Sequence, residues 1–296
     1  MRWGIIGTGT IARAFAADLP TSRTGQLVAV ASRDVATAEA FGFGARPHGS
    51  YDALLADDDV DAVYIATPHP MHAEWAIRAA EAGKHVLCEK PLTMSAAEAV
   101  AVFDAAREHD VFAMEAFMYR CHPNTLRFLD LLPTVGEVRS ITAVHSFAAP
   151  TDRLPPDGRL LSPALGGGAI LDVGCYSVSG MRMVRSDPPT DFVADLQLGP
   201  TGVDVFATAS LRWDDGATAE LRCGFHRNEA ILRVEGTENT VTLEQPWLPT
   251  DGDRGLYAYE ADEVADCVAR GERQSLRMTW DDSIACMQML DRWRAT

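Results

Sequence analysis

Of the 26 lysine and arginine side chains in this 296-residue chain, only Lys84 and Lys90 are lysine. Arginine stays protonated at any working pH, whereas a partly buried lysine can be tuned to release its proton. Lysine is therefore where acid–base chemistry is to be sought. Lys84 sits in a Gly-Lys-His turn and needs no further account. Lys90 stands in Cys88-Glu89-Lys90-Pro91, where a proline fixes the turn behind it. Tyr176 carries a second exchangeable proton, with Asp172 one helical turn earlier on the same face. The competing account of Tyr176 is a core aromatic whose hydroxyl is satisfied. His69 and His72, three apart, imitate a metal pair, but no third ligand is evident, so no metal is expected.

These residues need elements to position them. Residues 1–115 alternate short apolar runs with helical patterns, as in a parallel sheet wound by crossover helices. Strands are predicted at Trp3–Ile6, Leu27–Ala31, Ala62–Ile65, His85–Cys88 and Val111–Met114. Helices are predicted to begin near Ile11, Val35, Tyr51, His72 and Ser95, where Ser95 and Glu98 form a capping box. Gly7-Thr8-Gly9-Thr10-Ile11-Ala12 joins the first strand to the first helix. In that setting Gly7 permits the tight turn, Gly9 lets backbone approach a pyrophosphate, and Ala12 allows close packing, with the helix N-terminus facing the anion. The second strand ends in Ser32-Arg33-Asp34. Hydroxyl and guanidinium donors suit a 2'-phosphate, and Asp34 reads as the cap of the following helix, so NADP(H) is expected, with NAD as the alternative. Thr67-Pro68-His69-Pro70-Met71-His72 and Glu89-Lys90 follow two further strands, whose C-terminal ends line the ligand crevice of such sheets.

The fingerprint at Gly7, the T-P-x-x-x-H segment, E-K-P, and Gly166-Gly167-Gly168-x-x-x-Asp172-x-Gly174-x-Tyr176 together resemble the glucose-fructose oxidoreductase and inositol dehydrogenase family, across essentially the whole chain. Met114-Glu115-Ala116-Phe117-Met118-Tyr119-Arg120 and the tyrosine at 176 resemble its dihydrodiol and D-xylose dehydrogenase branch. Inositol-dehydrogenase-like members carry His at the position of Tyr176, and Asn is commoner at the position of His69. The resemblance implies hydride transfer to or from a hydroxyl-bearing carbon of a sugar or vicinal diol, with Lys90 beside the reacting hydroxyl. It implies cofactor contacts from Gly7, Gly9, Thr10, Ile11, Ser32, Arg33, Thr67, Pro68, His69, His72, Glu89 and Lys90. Loss of hydride from a carbinol carbon requires its hydroxyl proton to leave. Nearby oxidised nicotinamide and partial burial would lower the pKa of Lys90, Tyr176 could share the proton, and Asp172 could orient the hydroxyls or the tyrosine.

Beyond Arg120 the pattern changes to a helix at 123–131, a strand at 136–147, a Pro/Gly-rich loop, a helix near 169–185, four alternating runs over 190–243, and helices near 261–269 and 281–293. The expected organisation is an α/β Rossmann domain over residues 1–119 that binds NADP, then an α+β domain over 120–296 with a mainly antiparallel open sheet for substrate and oligomerisation. Apolar residues on both alternations of Val203–Ala207 suggest a homodimer through that sheet, as the resemblance also implies. A formal charge of −16 argues against nucleic acid and anionic membranes. The absence of a leader pattern or long apolar run points to the cytoplasm. The six scattered cysteines read as free, buried thiols. Two other readings stand beside the dehydrogenase: a non-catalytic cofactor-sensing regulator, and a nicotinamide-dependent glycosidase that would accumulate no reduced cofactor. Substrate choice rests on loop positions such as Phe147, Arg153 and Arg159.

Overall fold

A computed structural model describes residues 1–149, 151–152 and 154–296, so Arg153 lies outside the described residues. The chain divides into two compact units, residues 1–122 with 250–283, and residues 123–249 with 284–296.

The first unit is built on six parallel strands: β1 (Arg2–Ile6), β2 (Gln26–Ala31), β3 (Arg46–His48), β4 (Ala62–Ile65), β5 (His85–Glu89) and β6 (Ala113–Ala116), in the order β3-β2-β1-β4-β5-β6. The order reverses between β1 and β4, where an open doubly wound sheet leaves a crevice at its C-terminal edge. Between the strands run α1 (Thr10–Asp18), α2 (Val35–Glu39), α3 (Tyr51–Leu55), α4 (His72–Glu81) and α5 (Ala96–Glu108). β1, β4 and β5 are nearly wholly buried, as strands covered on both faces must be. Phe15 of α1 stacks on Tyr64 of β4 at 3.9 Å between ring centroids and helps seal the core.

Three features differ from the sequence expectation. β3 is a three-residue edge strand, Arg-Pro-His, whose proline is tolerated because an edge strand needs only one set of ladder bonds. β6 begins two residues later than expected, because Val111 N still donates to Ala106 O at the end of α5. Residues 250–283 return to the first unit rather than extending the second, through the contacts of α8 (Leu256–Ala269) with α1.

The second unit holds α6 (Pro123–Leu131), β7 (Val138–Ser146), α7 (Cys175–Val184), β8 (Asp191–Leu198), β9 (Asp204–Arg212), β10 (Thr218–Gly224), β11 (Glu229–Gly236) and β12 (Thr240–Glu244). Its sheet order is β12-β11-β7-β10-β9-β8, with β7 and β10 parallel and the remaining neighbours antiparallel. That is the mainly antiparallel sheet expected, with five strands rather than four between residues 190 and 244. α7 packs on β7, and Trp247 fills the space that the missing side chain of Gly180 leaves, with its indole N–H donating to Val144 O at 2.7 Å. The last helix, α9 (Trp280–Arg294), starts in the first unit and ends in the second.

All six cysteines are buried and outside any disulfide, and burial pushes the thiols of Cys88, Cys121 and Cys223 well up, which makes them inert. Among the described residues no helix is long and apolar enough to cross a membrane.

Candidate active site

Gly7 ends β1 at φ +105°, and a Cβ there would lie 2.8 Å from Ala66 O, so the turn excludes any other residue. Gly9 is the N-cap of α1 and has no side chain to occupy the first-turn amides, while a Cβ built on it would meet nothing within 4 Å. Open amides with clear space before them, at Gly9, Thr10 and Ile11, are what a pyrophosphate requires. At the end of β2, Ser32 is buried with its N–H donating to His48 O, and Arg33 is exposed. Asp34 caps α2 as expected, its carboxylate accepting from Thr37 N and Thr37 Oγ1 at 2.8 Å each, so its charge is committed away from a ribose. These residues fit a dinucleotide with a 2'-phosphate.

Lys84 also has a complete account. Its ammonium donates to Asp57 O and Val60 O, each at 2.8 Å. Lys90 stands at the tip of β5 and is partly exposed. The turn beneath it is held at successive backbone groups. Lys90 N donates to Glu89 Oε2 at 3.2 Å, His72 Nδ1 lies 2.9 Å from Pro91 O, and Leu92 N donates to Glu115 Oε1 at 2.9 Å. Glu89 Oε1 accepts a hydrogen bond from the Tyr64 hydroxyl. His72 Nε2 lies 2.9 Å from Thr67 O, so one ring bridges the loops after β4 and β5.

The side chains of Glu89 and His72, both expected at the cofactor, are buried and engaged with protein groups. Thr67 and His69 are buried, and Pro68 is exposed, on the same loop. The rings of His69 and His72 are 5.7 Å apart, but His72 has both nitrogens on carbonyls. Among the described residues no three metal-ligating side chains gather.

Besides Glu89, two further acids are buried in the first unit, Glu115 and Glu260, and residue type alone does not single them out. Glu115 on β6 is fully enclosed, and burial pushes its carboxyl up to about 7 against the contrary pull of Ser283, Leu92 N and Arg120. Glu260 on α8 has neither oxygen hydrogen-bonded, and burial, then Glu89 and Asp18, hold it well above the usual carboxylate range. The signal was an acidic residue inside an apolar run, as in Val111–Met118.

The titration of Glu115 has a direct consequence. Its folded pKa of about 7 exceeds the ordinary 4.5 of a glutamate in water. The folded state therefore binds more protons between those values, and the stabilisation present at low pH is lost as pH rises through that window. The loss is on the order of 3 kcal/mol. Glu115→Gln should melt close to wild type at about pH 5 and above it at about pH 8. An offset independent of pH would show that Glu115 titrates normally.

In the second unit, Asp172 lies on a π-helical turn, Ile170–Gly174, that precedes α7, rather than on the continuous α-helix expected. The turn follows Gly168 at φ +115°, where a Cβ would come within 2.4 Å of Asp204 Oδ1, and Asp204 Oδ2 accepts from Ile170 N at 2.6 Å. Such turns widen a helix locally and recur at functional sites. Arg159 donates to Asp172 Oδ1 at 2.6 Å, fixing the carboxylate. Tyr176, 5% exposed, packs edge-on to His145 at 5.0 Å and lies 5.8 Å from Trp247. His145 and Trp247 also line a cavity of about 370 Å³ with Ser146 and Asn228. Phe147 packs on Phe225 at 5.1 Å.

The chain is similar to known proteins along nearly its whole length. An oxidoreductase family with an NAD-binding Rossmann fold matches residues 1–117, and a GFO/IDH/MocA C-terminal domain matches residues 133–242. A D-xylose 1-dehydrogenase (NADP(+)) of Haloferax volcanii is 35% identical over 98% of this chain and 95% of its own. A trans-1,2-dihydrobenzene-1,2-diol dehydrogenase of Danio rerio is 34% identical over 99% and 96%. The crystal structure of a 3-ketoreductase from Actinomadura kijaniata, in complex with TDP-benzene and NADP, superposes with a TM-score of 0.86 at 31% identity over 99% of this chain and 96% of that one. With both halves of the chain matched in order and relatives above 30% identity along nearly its full length, this protein belongs to the GFO/IDH/MocA oxidoreductase family.

Proposed function

We propose that the protein is an NADP(H)-dependent dehydrogenase that moves a hydride to or from the carbinol carbon of a sugar or vicinal diol. The observation that carries this reading is Lys90, one of two lysines in the chain, on a turn held at three backbone groups beside the loop after β4. The first unit binds the dinucleotide, with α1 receiving the pyrophosphate and Ser32 and Arg33 the 2'-phosphate. Bound NADP+ supplies the hydride acceptor. Lys90 and Tyr176 share the proton of the reacting hydroxyl, and Asp172, held by Arg159, orients substrate hydroxyls. The similarity to a D-xylose and a dihydrodiol dehydrogenase supports a small polyhydroxylated substrate. The cavity of about 370 Å³ lined by His145 and Trp247, the two rings that pack on Tyr176, has a size suited to one, at the lower end of the usual ligand range.

A screen of aldoses and vicinal diols with NADP+ and NAD+ tests the reading. Net reduction of NADP+ by at least one of them is the expected result. Cofactor that binds without turnover would indicate a sensor, and bond cleavage without net reduction would indicate a glycosidase.

The protein acts in the cytoplasm as a homodimer joined through the second sheet. The face of that sheet opposite α7 carries Val193, 63% exposed, among polar residues. Light scattering at micromolar concentration should return twice the 32.1 kDa chain mass, and a monomer there would remove the dimer.

A further inference from the structure

The strand order places β5 between β4 and β6, so the turn that carries Lys90 has a neighbour on either side. From the β4 side, His72 at the start of α4 reaches Pro91 O with one ring nitrogen and Thr67 O with the other, both at 2.9 Å. From the β6 side, Glu115 Oε1 accepts from Leu92 N at 2.9 Å. Both side chains are buried, 0% and 1% exposed. We propose that His72 and Glu115 are positioning residues for Lys90, holding the Pro91–Leu92 peptide by its carbonyl and its amide from the β4 and β6 sides so that the ammonium is presented at one place. The inference rests on the reading that Lys90 carries the proton in hydride transfer.

The chemistry of the two clamps differs. A neutral imidazole has one N–H for two carbonyls, and only the charged ring could donate to both. Burial lowers the His72 pKa, opposed by Pro91 O and Thr67 O and reinforced by the cation of Lys90. Burial thus weighs against the charged ring, and the single N–H of a neutral ring serves one carbonyl at a time. The groups facing it are Lys90, the backbone of Glu89, and the ring of His69. Glu115 holds Leu92 through an oxygen that accepts in either protonation state, and the groups around it are Ser283, Arg120 and Glu89. Neither side chain needs to touch substrate or cofactor to matter: a displacement of about 1 Å at a reacting group can cost about 10²-fold in rate.

The test compares His72→Ala, His72→Asn, Glu115→Ala and Glu115→Gln, with Lys90→Met as reference, in the full chain with NADP+. The readouts are kcat, cofactor Kd, melting temperature and the pH profile of oxidation. The alanine variants should lose roughly 10- to 100-fold in kcat with cofactor Kd within about twofold. Their Lys90-dependent limb should shift, because a released turn no longer holds the ammonium in one environment. Glu115→Gln, which keeps an acceptor for Leu92 N, should recover most of the loss. His72→Asn, too short to span both carbonyls, should show the same limb shift as His72→Ala and serves if the alanine variant does not fold. A melting change alone, with kcat and the limb at wild-type values, would overturn the clamp. If the limb persists in Lys90→Met, the assignment of the proton to Lys90 fails instead, which separates the two conclusions.

Discussion

Lys90→Met is expected to lower kcat by roughly 10² to 10⁴, the range for losing a general acid–base group, with cofactor affinity nearly kept. Lys90→Arg should be almost as damaging. A guanidinium restores the charge but cannot exchange a proton near neutral pH. Lys84→Met provides the contrast, because that ammonium serves the carbonyls of Asp57 and Val60 and its loss should appear in stability. Tyr176→Phe should also lower turnover. If the lysine and tyrosine act on one proton, the double variant should be far less than multiplicatively worse than the single ones. The base limb of the pH profile should vanish with the lysine. A Lys90→Arg enzyme with near-normal turnover would mean that the residue supplies charge alone.

The second large effect is expected in cofactor choice. Arg33 is exposed beside buried Ser32 at the tip of β2, and Asp34 is committed to Thr37. The tip therefore offers a guanidinium and a hydroxyl and no free carboxylate, which suits a phosphate better than a ribose diol. A charge-assisted hydrogen bond contributes about 1.5–3 kcal/mol, so Arg33→Ala should weaken NADP+ binding by roughly 10- to 100-fold. NAD+ binding should change little. Titration of both dinucleotides against both proteins decides it, and an equal loss for the two would show that Arg33 does not read the 2'-phosphate.

Local signals made most of this architecture legible. β1, β2, β4 and β5 announce themselves as apolar runs, α5 by its Ser95 cap, and the crevice by glycines between strand and helix. What escaped depends on contacts distant in sequence. α8 begins at Leu256, five residues before the helix expected from its own pattern, because Tyr257 N donates to Asp18 of α1. Its Asp262 accepts from Ser22 Oγ and Thr24 Oγ1, which ties residues 250–283 to the first unit although 240 residues separate Ser22 from Asp262. The same limit applies to the site. Lys90, Tyr176 and the fingerprint could be picked out by residue type and order, whereas the bracing by His72 and Glu115 appears only once β4, β5 and β6 are side by side. The π-turn at Asp172 was hidden for a similar reason, since the carboxylate of Asp204 on β9 takes the amide of Ile170.

In the proposed reaction hydride passes directly between a carbinol carbon and the nicotinamide. The most direct measurement incubates the protein with NADP+ and an aldose or diol that turns over, deuterated at the carbon bearing the reacting hydroxyl, and follows the label. Deuterium carried quantitatively onto the reduced cofactor, without exchange with water, is the result this account predicts. Reduced cofactor free of label, or label lost to solvent, would contradict it.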